Sequence, residues 1–321
     1  MKINFTKMHG CGNDYIYIDG TKVPEEVRNS AEKKAGLVRR LSDRHFGIGG
    51  DGVIFIHRVP ETTQGELGQQ ADFEMEMYNA DGSRAEMCGN GIRCVAKYVY
   101  DKGWTDKKRI SVVSCGKVKY LALTVEAGKV VNVKVNMGAP VLKADDIPVI
   151  SEQAEVVDEE IEAGGKTYKV TCVSMGNPHA VIFVKDENIL TESDNANSED
   201  GQNAGEGGAD RFGREIVEGV GSLIEKHARF PKKTNVEFVK VLDRRKVQMR
   251  VWERGTGETL ACGTGACAAV VAGILNGLTE EEVTVKLLGG ELNILWDRKE
   301  NLVYMTGPAE TVFDGEADIK I

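Results

Sequence analysis

No run of apolar residues in this chain approaches the about 18 that a membrane-spanning helix needs; the longest, Ala266 to Leu275, has ten. The opening stretch "MKINFTKMHGCGNDY" lacks the apolar core of a secretory signal, so no membrane association is expected and the cytoplasm is the expected location. Histidines number only five, are scattered, and form no His-Glu-x-x-His pair. Seven cysteines cannot all pair internally, and none of their spacings fits a zinc ribbon or finger. No metal is therefore expected. A basic stripe interleaved with aromatics is also missing, which argues against a nucleic-acid partner.

The net charge of −9 is unevenly spread. Eight acidic residues and no Lys or Arg lie between Asp186 and Asp210, leaving the remaining chain close to neutral. The low-complexity stretch near residues 191–210 reads as a flexible, solvated insertion. At 321 residues the chain has room for two domains of ordinary size.

Two stretches carry the chemistry. "TLACGTGACAAVVAGIL" places Cys262 before Gly-x-Gly and an apolar segment, and "AEMCGNGIRCVAKYV" does the same with Cys88. Nine positions before Cys88 stands Asn79, after the alternating Phe73, Met75, Met77. Nine before Cys262 stands Glu253, after Val247, Met249, Val251. Each unit reads strand, polar residue, glycine-containing connection, Cys-Gly-x-Gly, helix, and the two lie 174 positions apart. "GNDYIYI" from Gly12 and "GNPHAVIFV" from Gly176 form a second, weaker pair of echoes in the same order. A duplicated fold is the expectation, each copy wrapping strands around a central helix, 89–102 in one and 263–276 in the other.

Elsewhere the pattern predicts a first strand at Tyr15 to Asp19 and a helix from Ala31 to Arg44. Strands should fill 110–137. An amphipathic helix in "REIVEGVGSLIEKHARFP" should have Ile216, Val217, Val220, Leu223 and Ile224 on its inner face and stop at Pro231. Gly47, Gly49 and Gly52 form a Gly-x-Gly-x-x-Gly, but it follows a helix and opens a strand, the reverse of a dinucleotide site. Cys94, Cys115, Cys172 and Cys267 read as core or strand residues, and His57 and His227 as structural or solvated.

A helix start offers N–H groups without partners and a partial positive charge. That should lower the pKa of a cysteine placed there, and it makes an anion site suited to a carboxylate. If the two halves face one cleft, one sulfur as thiolate can take an α-proton while the other, as thiol, returns one to the opposite face. Inversion would follow without pyridoxal phosphate or any other cofactor. Two other readings stay open: a cofactor-independent racemase of a histidine- or proline-like amino acid, and a thiol–disulfide redox protein.

"KMHGCGNDYIYID", "GIGGDGV", "YNADGSRAEMCGNGIR", "MGNPHAV", "TNVEFV" and "WERGTGETLACGTGA" together, in order and over almost the whole chain, resemble the diaminopimelate epimerase family. The resemblance implies an α+β fold of two pseudo-symmetric domains, each a mixed sheet or barrel around a central helix. Their bounds would be 1–137 plus 308–321 and 138–307. It implies epimerisation of LL- to meso-diaminopimelate in lysine and peptidoglycan precursor synthesis, a small amino-acid substrate, and a homodimer. By matched position Cys88 and Cys262 become the acid/base pair, and Gly89, Asn90, Gly263 and Thr264 donors to the reacting carboxylate. Asn13, Asn79, Asn177, Asn235 and Arg254 become holders of the amino and carboxylate groups. Glu253 would accept from an ammonium, and with His179 would adjust the cysteine pKa values. Gly52 stands where the family commonly has Gln, and Cys11 where Leu is usual.

Overall fold

The computed structural model describes residues 1–59, 71–85, 88–184 and 208–319, and most of the acidic insertion expected near 191–210 lies outside the described residues. The chain divides into two compact units, Met1–Asn136 with Thr306–Ile321, and Met137–Met305. No helix among the described residues is long and apolar enough to cross a membrane.

The first unit begins with a strand that the periodicity does not announce, β1 (Lys2–Gly10), before β2 (Asn13–Asp19). The two pair antiparallel through a two-residue turn, Cys11–Gly12, with φ of +53° and +81°. Positive φ at both central residues is the type I′ pattern that matches strand twist. It places Asn13 at the mouth of β2. A short helix α1 (Glu25–Arg28) and α2 (Ala31–Ser42) follow, the latter capped by Ser30. β3 (Gly52–Arg58) runs parallel to β2, and β4 (Phe73–Asn79) antiparallel to β3. Helix α3 (Gly89–Asp101) then packs on β1, β2 and later β6, and residues 89–99 are all buried. β5 (Arg109–Ser114), β6 (Lys117–Glu126) and β7 (Lys129–Gly138) form an antiparallel meander. β5 runs parallel to β4.

The second unit repeats this plan. β8 (Glu159–Ala163) pairs antiparallel with β9 (Lys166–Ser174), and β9 with β10 (Pro178–Phe183). Helix α4 (Gly208–Glu225) precedes β11 (Asn235–Asp243), which is parallel to β10. β12 (Lys246–Glu253) is antiparallel to β11, and the short β13 (Gly257–Thr259) folds back on β12. Helix α5 (Gly263–Leu275) packs against β9 to β12 and against β14 (Glu282–Leu287) and β15 (Gly290–Asp297). β14 is parallel to β12, as β5 is to β4. β16 (Leu302–Pro308) runs across the unit boundary, and β17 (Glu310–Asp318) pairs antiparallel with β1 in the first unit.

Parallel strands covered on both faces should read as apolar runs. "AVI" in β10 and "VIFI" in β3 do, and both are buried. α5 is small and apolar on nearly every side, which suits a helix enclosed by strands. Asn79 and Glu253 are the last residues of β4 and β12, so the nine-residue spacing to each cysteine has the same structural meaning in both units.

Three details differ from the sequence expectation. α4 ends at Glu225, not at Pro231, and Leu223 is exposed while Val217 and Ile224 are buried. Cys115 is neither core nor strand: it is exposed, in the Cys115–Gly116 turn between β5 and β6, at φ +45°. Cys94, Cys172 and Cys267 are buried.

Candidate active site

In the first unit Cys88 is the N-cap of α3, with extended backbone at φ −128° and ψ 118°. Its sulfur accepts from Gly91 N at 3.3 Å, the place a serine or aspartate oxygen takes in an ordinary cap. The helical ladder begins with Ile92 N donating to Cys88 O, so the N–H groups of Gly89 and Asn90 precede it.

Asn13 approaches from β2: the Cys88 thiol donates to Asn13 Oδ1 at 3.2 Å. The amide cannot turn over freely, because Asn13 Nδ2 donates to Asp51 Oδ2 at 2.7 Å. Asp51 is fixed in turn by Arg44, whose guanidinium bonds Asp51 Oδ1 at 2.9 Å and both oxygens of Asp14. Burial pushes the Asp14 carboxyl up, but hydrogen bonds from Arg44 and Lys7 outweigh it and hold the group below its ordinary value.

Asn90 turns its Oδ1 to the fully buried Arg93, which also donates to Gly89 O and to Pro308 O. Asn79 is exposed and donates to Ser83 Oγ at 3.1 Å. At Gly52 the backbone leaves no space for a side chain, since a Cβ would lie 2.0 Å from Tyr78 O. Cys11 is buried with its sulfur accepting from Arg93 at 3.7 Å; burial pushes its thiol up, and Arg93 offsets part of that.

In the second unit Cys262 caps α5 at φ −119° and ψ 111°, and its sulfur accepts from Gly265 N at 3.3 Å. Thr264 Oγ1 stands 3.5 Å from the same sulfur. The ladder begins with Ala266 N donating to Cys262 O, so the N–H groups of Gly263 and Thr264 precede it. Here the expected lowering of the thiol pKa is not found. Burial pushes the Cys262 thiol well above its ordinary value, the carboxylates of Glu253 and Glu237 add to the shift, and Thr264 and Gly265 N oppose it too weakly. A helix end contributes partial charges only, whereas the two carboxylates are whole charges acting where water is excluded.

His179 lies on β10 with its side chain fully buried, Nδ1 2.6 Å from Glu237 Oε1 and Nε2 3.0 Å from Asn177 Oδ1. Asn235, opposite His179 on β11, donates to Pro178 O and accepts from Arg254 N at 2.8 Å. Arg254 is exposed and donates to Lys232 O. Glu253 accepts from Thr259 Oγ1 at 2.5 Å.

Ligating atoms of His179, Glu237 and Cys262 all lie within 4.8 Å of one another. Ligands of a tetrahedral zinc, at about 2.0–2.1 Å from the ion, stand about 3.3 Å apart. His179 Nδ1 and Glu237 Oε1 are already hydrogen-bonded at 2.6 Å, which leaves no room for an ion between them.

Asn13 and Cys88 thus meet in the first unit. His179, Asn177 and Asn235 form one hydrogen-bonded set in the second. Sequence reading missed Asp51, Arg44, Arg93 and Glu237. Glu237 had one signal: a carboxylate within the otherwise apolar "VEFV" of a strand, all four of whose residues are buried.

The sequence model of the diaminopimelate epimerase family matches residues 5–143 and 209–312. A protein named diaminopimelate epimerase from Methanococcus maripaludis is 51% identical over 317 residues, 99% of this chain and 100% of the relative. One of the same name from Acetivibrio thermocellus is 50% identical, covering 99% of each. Among solved structures, a hydroxyproline epimerase from Agrobacterium vitis shares the fold at a TM-score of 0.65 and 14% identity, over 98% of this chain and 91% of that one. With the family model matching most of its length and relatives at half identity end to end, this chain belongs to the diaminopimelate epimerase family.

Proposed function

We propose that the protein epimerises LL-2,6-diaminopimelate to the meso form, with Cys88 and Cys262 as a thiolate/thiol pair and no cofactor. The observation that carries this is the repeated cap: two cysteines hold the same backbone conformation and the same 3.3 Å sulfur-to-amide bond at the starts of two buried helices. Family membership supplies the substrate class.

One sulfur removes the α-proton, and the other delivers a proton to the opposite face of the same carbon. The α-carboxylate lies at the helix starts, taking hydrogen bonds from the N–H groups of Gly89, Asn90, Gly263 and Thr264, with the Thr264 hydroxyl adding a donor. Charge moves from the breaking C–H bond into that carboxylate, and oriented N–H groups stabilise it without reorganising. Arg254 offers a bidentate fork to the distal carboxylate, with Asn79, Asn177, Asn235 and Asn13 fixing the polar ends. Glu253 accepts from an ammonium group. His179 acts on the second thiol from inside the fold.

The units act as an N-terminal domain, 1–137 plus 308–321, and a C-terminal domain, 138–307. The enzyme works as a cytoplasmic homodimer in lysine and peptidoglycan precursor synthesis, in a compartment that keeps thiols reduced.

The test is α-deuterium incorporation from LL-diaminopimelate in D2O, under reducing conditions and without added cofactor, followed by proton NMR with chiral analysis. Deuterated meso product is expected. No exchange with the thiols shown to be free overturns the assignment, and other amino acids are then screened.

A further inference from the structure

We propose that Glu237 is a positioning residue: one of its carboxylate oxygens anchors the His179 ring, and its charge stands as a fixed negative neighbour of the Cys262 sulfur. The inference rests on the epimerase reading and deepens it.

Glu237 sits in mid-strand on β11 with no exposure, between Val236 and Phe238, which are equally buried. A carboxylate taken so far from water needs its oxygens bonded. The buried Glu76 of the first unit shows what a stabilising arrangement looks like: Lys34 bonds both oxygens, Tyr78 bonds one, and His57 stands 3.4 Å from the other. Glu237 has His179 on Oε1, and no hydrogen-bond partner on Oε2 among the described residues. A group held this poorly for stability has its explanation elsewhere.

Its neighbours supply one. A Cβ built at Gly265 would lie 2.7 Å from Glu237 Oε1 and 3.2 Å from Cys262 Sγ, so carboxylate and sulfur border the same small space. Both nitrogens of His179 face oxygens, Glu237 at 2.6 Å and Asn177 at 3.0 Å. An imidazolium satisfies both as a donor; a neutral ring satisfies both once the Asn177 amide is turned over. In either case Glu237 Oε1 accepts a hydrogen bond from the Nδ1–H and fixes the ring. The charged and titratable groups around Cys262 are Glu237 from β11, Glu253 from β12 and His179 from β10, with Thr264 and the Gly265 N–H on its own helix. Cys172 of β9 also feels the Glu237 charge. A carboxylate so placed favours the protonated form of Cys262.

The test uses Glu237→Gln, which keeps the shape and removes the charge, and Glu237→Asp, which draws the charge back. Thiolate absorbance of Cys262 is titrated in the Cys88→Ala protein, with Cys88→Ala/Cys262→Ala as the blank for the other cysteines. Glu237→Gln should move the Cys262 midpoint down by roughly one pH unit, the size of a neighbouring-charge effect. Glu237→Asp should move it the same way by less. With Cys88 intact, Glu237→Gln should lower kcat about 10- to 100-fold and leave KM within about threefold, as for an interaction acting on the chemical step.

An unmoved Cys262 midpoint in Glu237→Gln overturns the proposal. Should that variant not fold, an unmoved midpoint in Glu237→Asp overturns it equally. The epimerase reading is tested separately by exchange in the unaltered enzyme. Its failure alongside a shifted midpoint would reassign the reaction and leave the pairing of Glu237 with Cys262 standing.

Discussion

Beside the Cys88 sulfur, the space facing Gly91 is taken by Ile54 of β3; beside Cys262, the space facing Gly265 is taken by Glu237 of β11. Strand registers make these equivalent positions. Tyr15 pairs with Gly52 and His179 with Asn235, so Ile54 and Glu237 each lie two residues further along. At these two positions the first unit has Tyr15 and Ile54, the second the buried pair His179 and Glu237. The two caps share one backbone geometry, and a carboxylate stands beside the Cys262 sulfur where an aliphatic carbon stands beside that of Cys88. Two thiols that look alike as caps have unlike neighbours.

The strongest test of that contrast removes each sulfur in turn. Cys88→Ala and Cys262→Ala should each lower turnover of LL-diaminopimelate about 10,000-fold, the upper range for loss of a positioned acid or base. Steady-state rates measured in both directions check this. A variant that falls by less than about tenfold would take its half out of the chemistry.

Away from the cysteines the halves also differ in how they bury charge. Glu76 on β4 and Arg250 on β12 occupy equivalent places, 174 positions apart. Arg250 is answered by a bidentate Glu258, and Glu76 by Lys34. Burial pushes the Glu76 carboxyl up, but His57, Lys34 and Tyr78 prevail and hold it at about 2, against an ordinary 4.5. A folded-state value below the unfolded one gives stability that is present above pH 4.5 and lost as pH falls towards about 2. After allowance for solvent screening this is worth about 2 kcal/mol. Lys34→Met leaves the buried Glu76 carboxylate without its ammonium partner and should cost about 3–5 kcal/mol at neutral pH. Its pH dependence should also reverse, since protonating Glu76 now relieves the defect. Urea unfolding at pH 7 and pH 4 measures both effects.

Each half also secures an asparagine near its cysteine by a different device. Asp51 holds Asn13 in the first unit, and His179 faces Asn177 in the second. Asp51→Asn lets the Asn13 amide turn, so that Nδ2 can face the Cys88 sulfur in place of Oδ1. We expect kcat/KM to fall about 10- to 100-fold, a loss of roughly 1.4–2.7 kcal/mol of transition-state stabilisation, with the melting temperature nearly unchanged. A large loss of stability with unaltered kinetics in the surviving folded protein would make Asp51 a fold residue only.

The two cysteine caps, the strand ends at Asn79 and Glu253, and the enclosed α5 were legible because each rests on local spacing. β1 was not, since "KINFTKMHG" mixes lysines into a strand whose partners, β2 and β17, include one from the far end of the chain. Glu237 was hidden for a related reason: an alternating strand reads as having a wet face, and the first five residues of β11 have none. Asp51 stands between two glycines in a loop, and only the tertiary fold brings it to Asn13. Reversal of the expected Cys262 shift has the same origin, because it comes first from burial within the fold and then from carboxylates on two other strands.

The finest comparison puts one methyl group at the same place in each half. Ala for Gly in a helix gains up to about 1 kcal/mol from backbone entropy alone. At Gly91 the new Cβ meets Ile54 Cδ1 at 2.9 Å, the far end of a flexible side chain that can rotate aside. Gly91→Ala should therefore change stability by less than about 1 kcal/mol. At Gly265 the Cβ meets Glu237 Oε1 at 2.7 Å and Cys262 Sγ at 3.2 Å, and Oε1 cannot retreat without giving up His179. Gly265→Ala should cost about 1–3 kcal/mol and should also lower kcat, since carboxylate, ring and sulfur are displaced together. Equal costs in the two variants, measured by thermal unfolding, would mean that the second site yields as easily as the first. Glu237 would then be a tolerant neighbour of Cys262 and not a fixed one.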